Sequence, residues 1–352
     1  MVKFGTSGIR GKFWEEITPE LGIRLGRAIA GKGVAKIAVG RDARATGKLL
    51  ENALVSGILS RGCNSFLAGI LPTPTLALAV KNYADLGVMI TASHNPPECN
   101  GFKLLSKQGE APRALEAKIE RLLSLPQKPA DWRNIGQVAR LRTPVRDHSE
   151  LALSLVDASL IRRKKPKVVL DCGNGAGSVI MPELLREAGC NVVELNCKQS
   201  GEFARGLEPN EANLRDARRL VRSSKADLGI AHDGDADRAV IIDENGKLLG
   251  LDAQLALMCK EELVKKKGMV VSTIEASLAV KETVLSSGGK LFVTKVGSPN
   301  VAKEMRRKNA VFGGEPCGEY IFPAGVPMPD GILTGLKFVE LFCKKGKLSA
   351  LR

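Results

Sequence analysis

In the stretch AHDGDADRAV, three carboxylates (Asp233, Asp235 and Asp237) fall at alternate positions, with Arg238 directly behind them. Acid groups that close repel one another unless a cation sits among them, and an all-oxygen set is the kind that holds Mg2+ or Ca2+. A Ca2+ EF-hand loop is a poor match, because the distal glutamate and the flanking helices are missing. An acidic turn in solvent is the plain alternative. Mg2+ with an open coordination position binds phosphate oxygens, which gives meaning to a second stretch, TASHNPPECNGFK, where Ser93 follows the apolar run Leu86 to Ile90. Ser93 is then a hydroxyl able to carry phosphate, against the plain alternative that Ser93 and His94 merely cap a turn. A hydrolase triad has little to draw on, since His94, His148 and His232 are the three histidines and no Ser-His-Asp order is evident.

Two glycine-rich stretches remain. In VFGGEPCGEYIFP, Gly313, Gly314 and Gly318 flank Glu315 and Glu319. Glycines let the backbone approach a ligand, and a carboxylate there can accept from sugar hydroxyls; a plain hairpin is the alternative. DCGNGAGS, from Asp171 to Ser178, looks like a dinucleotide fingerprint, but its glycines lack the third interval and no acidic residue ends the next strand. It reads as a tight structural turn.

Something must present these loops, and an internal repeat supplies it. The segments beginning at Lys36, Lys167 and Met269 each run apolar strand, polar or glycine-containing turn, amphipathic helix, second apolar strand, over about thirty residues. The expectation is an α/β protein of three tandem, similar domains with mixed sheets, spanning 1–145 with the Ser93 loop, 146–243 with the aspartate loop and 244–352 with the glycine-glutamate loop. DENG, in the stretch IIDENGKLLG that begins at Ile241, reads as a hairpin turn at the second boundary. Ligands in open α/β units gather beyond the carboxyl ends of strands, where both the Ser93 and aspartate loops fall.

Composition narrows the classes further. The 352 residues, 44% hydrophobic and 26% charged, fit an ordinary globular chain with more than one core. No window is long and apolar enough for a membrane span and the N-terminus has no apolar signal core, so a cytoplasmic protein is expected. The eight cysteines are scattered without zinc or Cys-x-x-Cys spacing and read mostly as small buried hydrophobes in a reduced compartment. A net charge of +15 raises nucleic acid, but aromatics are only 4% and the basic runs at Arg162–Lys165, Lys265–Lys267 and Lys344–Lys345 lie far apart. Those runs read as solvated helix ends, and no nucleic-acid partner is expected.

With these residues in hand, the chain resembles the α-D-phosphohexomutase superfamily of phosphoglucomutases, phosphomannomutases and phosphoglucosamine mutases. FGTSGIRG, TASHNPPECNGFK, DGDADR and GEPCGEY stand in the order of that family's signature loops. The resemblance implies transfer of phosphate between positions 1 and 6 of a hexose through phosphorylated Ser93 and a hexose 1,6-bisphosphate, which also serves as activator. It implies Mg2+ held by Asp233, Asp235 and Asp237 together with Ser93, and Lys103 as general acid/base. Arg10, His94 and Arg238 would stand around the phosphoserine, and Glu315, Cys317, Glu319 and Lys295 at the sugar. Burial beside other cations is expected to depress the Lys103 pKa.

Cys317 stands where serine is frequent in the family and Glu319 where many members carry histidine. The family also usually has a fourth, smaller domain with a loop near RxSGTEP, and the sequence contains no such loop; the expectation is a chain lacking that domain. Phosphoglucosamine mutase is the first choice, phosphomannomutase or phosphoglucomutase the second, and a truncated, inactive sugar-phosphate binding protein the alternative of another class. Oligomeric state stays open.

Overall fold

A computed structural model describes residues 3–5, 8–31 and 33–351. Thr6 and Ser7 of the N-terminal FGTSGIRG motif lie outside the described residues. The three expected repeats are each a strand, a helix and a parallel neighbouring strand: Lys36–Arg41, Gly47–Leu59 and Asn64–Ile70; Lys167–Asp171, Met181–Ala188 and Asn191–Leu195; Met269–Thr273, Leu278–Ser286 and Lys290–Thr294.

The repetition goes further than the sequence pattern. Beside each first strand lies a parallel strand that leads into a loop, and the chain returns antiparallel: Leu86–Ile90 to Cys99–Ser106, Leu228–His232 to Ala239–Ile242, and Phe312–Glu315 to Glu319–Ile321. The order return strand, loop strand, first strand, crossover strand is therefore the same in all three sheets, the first being extended by further strands. The loop strands are central in their sheets, and Leu228–His232 and Phe312–Glu315 are buried throughout. Burial on both faces explains the apolar runs of Leu86–Ile90 and Leu228–Ala231. The three loops with candidate chemistry leave the carboxyl ends of equivalent strands.

Packing joins the units. The helix Gly331–Lys345, capped by Asp330 accepting from Leu333 N, follows the third sheet but packs on the second, against Ala158–Lys164 and Ala239–Ile242. Gly335 permits this approach, since a Cβ there would sit 2.8 Å from Met181 and 3.1 Å from Ile230. The largest core cluster accordingly runs from Val168 and Ile230 through Leu336 to Val270 and Phe312, across both sheets. Buried His148 ties all three units, its Nδ1 2.8 Å from Thr75 Oγ1 and its Nε2 3.0 Å from Asp330 Oδ2. The basic runs are exposed at helix ends, as expected, where cations favour the carboxyl-terminal dipole. No helix among the described residues is long and apolar enough to cross a membrane.

Candidate active site

The Ser93 loop is wrapped around an arginine. Arg44 is fully buried; its Nε pairs with Asp42 Oδ2 at 3.0 Å, and its two terminal nitrogens donate to the carbonyls of Pro96 (2.6 Å), Cys99 (2.8 Å), Ser93 (2.9 Å) and Asn95 (2.7 Å). Asp42 also accepts from Thr91 Oγ1 at 2.7 Å, and Thr91 Oγ1 in turn accepts from Ser93 N at 2.8 Å. These contacts hold Ser93 at φ +50°, a left-handed backbone that a serine adopts only when its surroundings impose it. Its hydroxyl is thereby aimed out of the first unit and into the second.

There it meets the aspartate loop. Ser93 Oγ donates to Asp233 Oδ2 at 2.7 Å, with His94 Nδ1 3.4 Å away. Ligand oxygens of Asp233, Asp235 and Asp237 lie within 4.8 Å of one another, all three side chains buried. Thr73 braces the loop from the first unit, its amide donating to Asp235 O at 2.9 Å and its hydroxyl to Asp235 Oδ2. From below, DCGNGAGS supplies Ala176 N to Gly234 O at 2.9 Å. The turn is structural, as expected, and what it supports is this loop.

The electrostatics are those of a site built for a cation. Burial and mutual repulsion raise Asp233 and Asp237, the latter to about 7, while Asp235, against burial, is held near 2 by Lys103 and Thr73. Asp235 Oδ1 and Asp237 Oδ1 are buried with no hydrogen-bond partner. Buried carboxylate oxygens left unpaired are costly, and their convergence fits a small divalent ion with oxygen ligands.

Lys103, on Cys99–Ser106, is buried with Nζ 2.9 Å from Asp237 Oδ2 and 3.7 Å from Asp235 Oδ2. The expected depression of its pKa by neighbouring cations is corrected: burial alone would lower it, but Asp237, Glu110 and Asp235 outweigh burial and raise it. Arg238 lies between two carboxylates, 2.9 Å from Glu319 and 3.2 Å from Glu208. Arg10, on Ile9–Lys12, has a buried Nε with no hydrogen-bond partner. His94 is lowered by burial and then by Arg238, with Glu208 3.7 Å away pulling the other way.

Ser93, His94, the aspartates, Lys103, Arg238 and Glu319 are thus one connected cluster. Glu315 is adjacent, its Oε1 accepting from Gly297 N at 2.8 Å, and burial followed by Glu319 raises it to about 7. Cys317 is half-buried in the same loop, its thiol pushed up by burial. Lys295 is exposed at the end of the loop that Glu315 holds, outside the connected cluster. Beneath that loop Ser298 Oγ donates to Glu110 Oε1 at 2.8 Å, closing the third unit on the first. Sequence reasoning passed over Asp42, Arg44, Thr73, Glu110 and Glu208. RDAR and the NP pair were visible, but their pairing was not.

Family models described as phosphoglucomutase/phosphomannomutase α/β/α domains I, II and III match residues 1–128, 147–246 and 252–352. The chain belongs to this family. A probable phosphoglucosamine mutase of Methanosphaera stadtmanae is 42% identical over 98% of the chain and 77% of that protein. A phosphoglucomutase/phosphomannomutase of Thermococcus kodakarensis is also 42% identical, over 98% and 78%. The crystal structure of a putative phosphomannomutase from Thermus thermophilus superposes with TM-score 0.92 at 26% identity, covering 99% of this chain and 82% of that one. The phosphohexomutase fold and membership are thereby established, and with them an isomerase-class enzyme that moves phosphate within a phosphorylated sugar.

Proposed function

We propose that this phosphohexomutase interconverts glucosamine 6-phosphate and glucosamine 1-phosphate by way of phosphorylated Ser93, with a 1,6-bisphosphate as intermediate and activator. The observation that carries the reading is the Ser93 hydroxyl 2.7 Å from Asp233, at the rim of three buried carboxylates. Asp233, Asp235 and Asp237, with an oxygen on Ser93, would hold Mg2+. Bound there, the ion supplies positive charge at the phosphoryl oxygens and relieves Lys103 of the carboxylates' pull.

The chain's own residues do the remainder. Phosphoryl transfer needs alignment and charge stabilisation more than covalent help. The Arg44 cradle fixes the direction of Ser93 Oγ, and the unpaired Arg10 offers its guanidinium to phosphate. Arg238, neutralised by Glu208 and Glu319, spans from the aspartate loop to the sugar loop. Lys103 holds a proton at Nζ and gives it to the departing oxygen, of serine or sugar, while the attacking hydroxyl gives its own proton up to the same site, so that Nζ is protonated again at the end of each half. His94, within reach of Ser93 Oγ, adds a polar neighbour to that oxygen. Glu315 and Glu319 accept from sugar hydroxyls, with Cys317 and Lys295 on the same rim. The working units are 1–145, 146–243 and 244–352, in a cytoplasmic protein.

Glucosamine is favoured because several relatives at 41–42% identity carry the name phosphoglucosamine mutase. Coupled turnover assays with glucosamine, mannose and glucose 6-phosphates, each with Mg2+ and a trace of the matching bisphosphate, test the choice. The highest kcat/KM is expected for glucosamine; a tenfold preference for mannose or glucose overturns it.

A further inference from the structure

The fold brings together two cysteines that the sequence shows as scattered. Lys167–Asp171 and Asn191–Leu195 are parallel neighbours with Asp171 opposite Leu195. Adjacent strands run about 4.8 Å apart, inside the roughly 4.4–6.8 Å Cα separation a disulfide spans, and the register carried one residue on sets Cys172 opposite Asn196, the residue before Cys197. Cys172 follows directly. Asn196, at φ +52°, turns the other chain back across the sheet, leaving Cys197 Sγ 3.5 Å from Leu170 O on the neighbouring strand and 3.3 Å from Leu195 O. The two thiols are near enough for each to shift the ionisation of the other.

This approach is built in. Asn174 N donates to Asn196 O at 2.6 Å, Asn196 Nδ2 to Asp171 Oδ1 at 3.1 Å, and Lys198 N to Asn174 Oδ1 at 3.4 Å. Cys172 is buried and Cys197 is part-exposed. Their roles differ to match: the neighbouring Cys172 lowers the Cys197 thiol, while burial raises Cys172.

We propose that Cys172 and Cys197 form a modification site, a dithiol that reacts with small-molecule disulfides of the glutathione type and closes to an intramolecular disulfide. Cys197, deprotonated, attacks one sulfur of the oxidant and releases one small thiol, leaving a mixed disulfide on Cys197. Cys172, losing its proton, attacks Cys197 Sγ and expels the second small thiol. The protein gives up two protons and two electrons, and the oxidant leaves as two reduced thiols. The bond would pin the start of the segment carrying Arg205, which pairs with Asp171 at 2.9 Å and donates to His232 O at 2.7 Å, and Glu208, which pairs with Arg238.

The test incubates the folded chain with oxidised glutathione, quenches with acid, and counts thiols after denaturation. Of eight cysteines, two are expected to be lost and restored by dithiothreitol, with peptide mapping linking the fragments that hold Cys172 and Cys197. Cys172→Ser is expected to stall as a glutathione adduct on Cys197, and Cys197→Ser to leave Cys172 reduced. The proposal is overturned if all eight thiols persist in the parent chain. It is equally overturned if glutathione stays on Cys197 of the parent without closure, or if the link maps elsewhere, for instance to the neighbouring Cys190 and Cys343.

Discussion

Ser93 Oγ lies 2.7 Å from Asp233 Oδ2, although 140 residues of chain separate them. A hydrogen bond to a carboxylate contributes about 1.5–3 kcal/mol net, no more than the about 1–3 kcal/mol that a left-handed serine costs, so stability alone gives no reason for the arrangement. The proposed phosphate-carrying role of Ser93 requires both. Purified protein is expected to carry one phosphate on Ser93 after incubation with a hexose bisphosphate, by intact mass. Ser93→Ala is expected to lose turnover by on the order of 10³-fold or more while melting near the parent temperature. Unmodified parent protein under those conditions, or an active alanine variant, would sink the phosphoserine.

Metal dependence follows from the two orphaned oxygens on Asp235 and Asp237. Chelation is expected to abolish turnover and Mg2+ to restore it. A readout independent of catalysis is available: an ion that binds only the folded chain stabilises it by about 2.7 kcal/mol at a hundredfold excess over Kd. Mg2+ is therefore expected to raise the melting temperature of the parent and not of Asp235→Asn. An equal rise in both proteins would place the ion elsewhere.

Gly234 is where the two loops touch. A Cβ there would sit 2.5 Å from Ser93 O and 3.2 Å from Leu207, so Gly234→Ala must push the serine and aspartate loops apart. Misplacement of about 1 Å at a reacting centre costs up to about 10²-fold in rate. A fall of that size in kcat, with unchanged circular dichroism, is the expected result; wild-type kcat would show that the loops do not have to meet this closely.

The outline of the molecule was legible in the sequence because local period and punctuation encode it. The three strand-helix-strand units and the loops at their carboxyl ends follow from apolar runs, glycines and prolines. Arg44 was not legible: RDARATG looks like an exposed polar turn, and its acceptors lie about fifty residues on, in a loop whose path no periodicity fixes. Glu208 was hidden likewise, in a segment without repeating pattern. The helix Gly331–Lys345 follows the third unit along the chain, yet it is apolar around much of its surface because it lies on the second. The surroundings of Lys103 reversed the expected pKa direction because burial and charge partners are set by tertiary contact alone.

Arg44 gives a stability prediction separate from chemistry. It fills four carbonyls and Asp42 with no exposed surface. A lysine lacks the planar fork and leaves several of these acceptors dry. Arg44→Lys is expected to cost about 1–3 kcal/mol for each buried carbonyl left without a donor, seen as a lower denaturant midpoint. The same variant is expected to lose kcat more than KM, because the serine loop slackens before the sugar loop does. A midpoint within error of the parent would remove Arg44 as the builder of that loop.

Glu315 gives the pH dependence. Burial, with Glu319 adding to it, raises its carboxyl from the ordinary 4.5 to about 7 in the folded chain. Between those values the folded protein binds the extra proton and the unfolded chain does not, so unfolding releases it and stability falls as pH rises from about 4.5 to 7. Above that window the penalty is constant, and a shift of this size corresponds to about 1–3 kcal/mol after allowance for relaxation. Glu315→Gln keeps an oxygen for Gly297 N and removes the charge. The variant is expected to match the parent near pH 5 and to melt higher at pH 8, while its KM for the sugar phosphate rises at pH 8, where the parent presents a charged acceptor. Melting curves at pH 5, 6, 7 and 8 check the first part; a variant less stable than the parent at pH 8 would mean that the ionised carboxylate is favoured by its surroundings and that its pKa lies below the window.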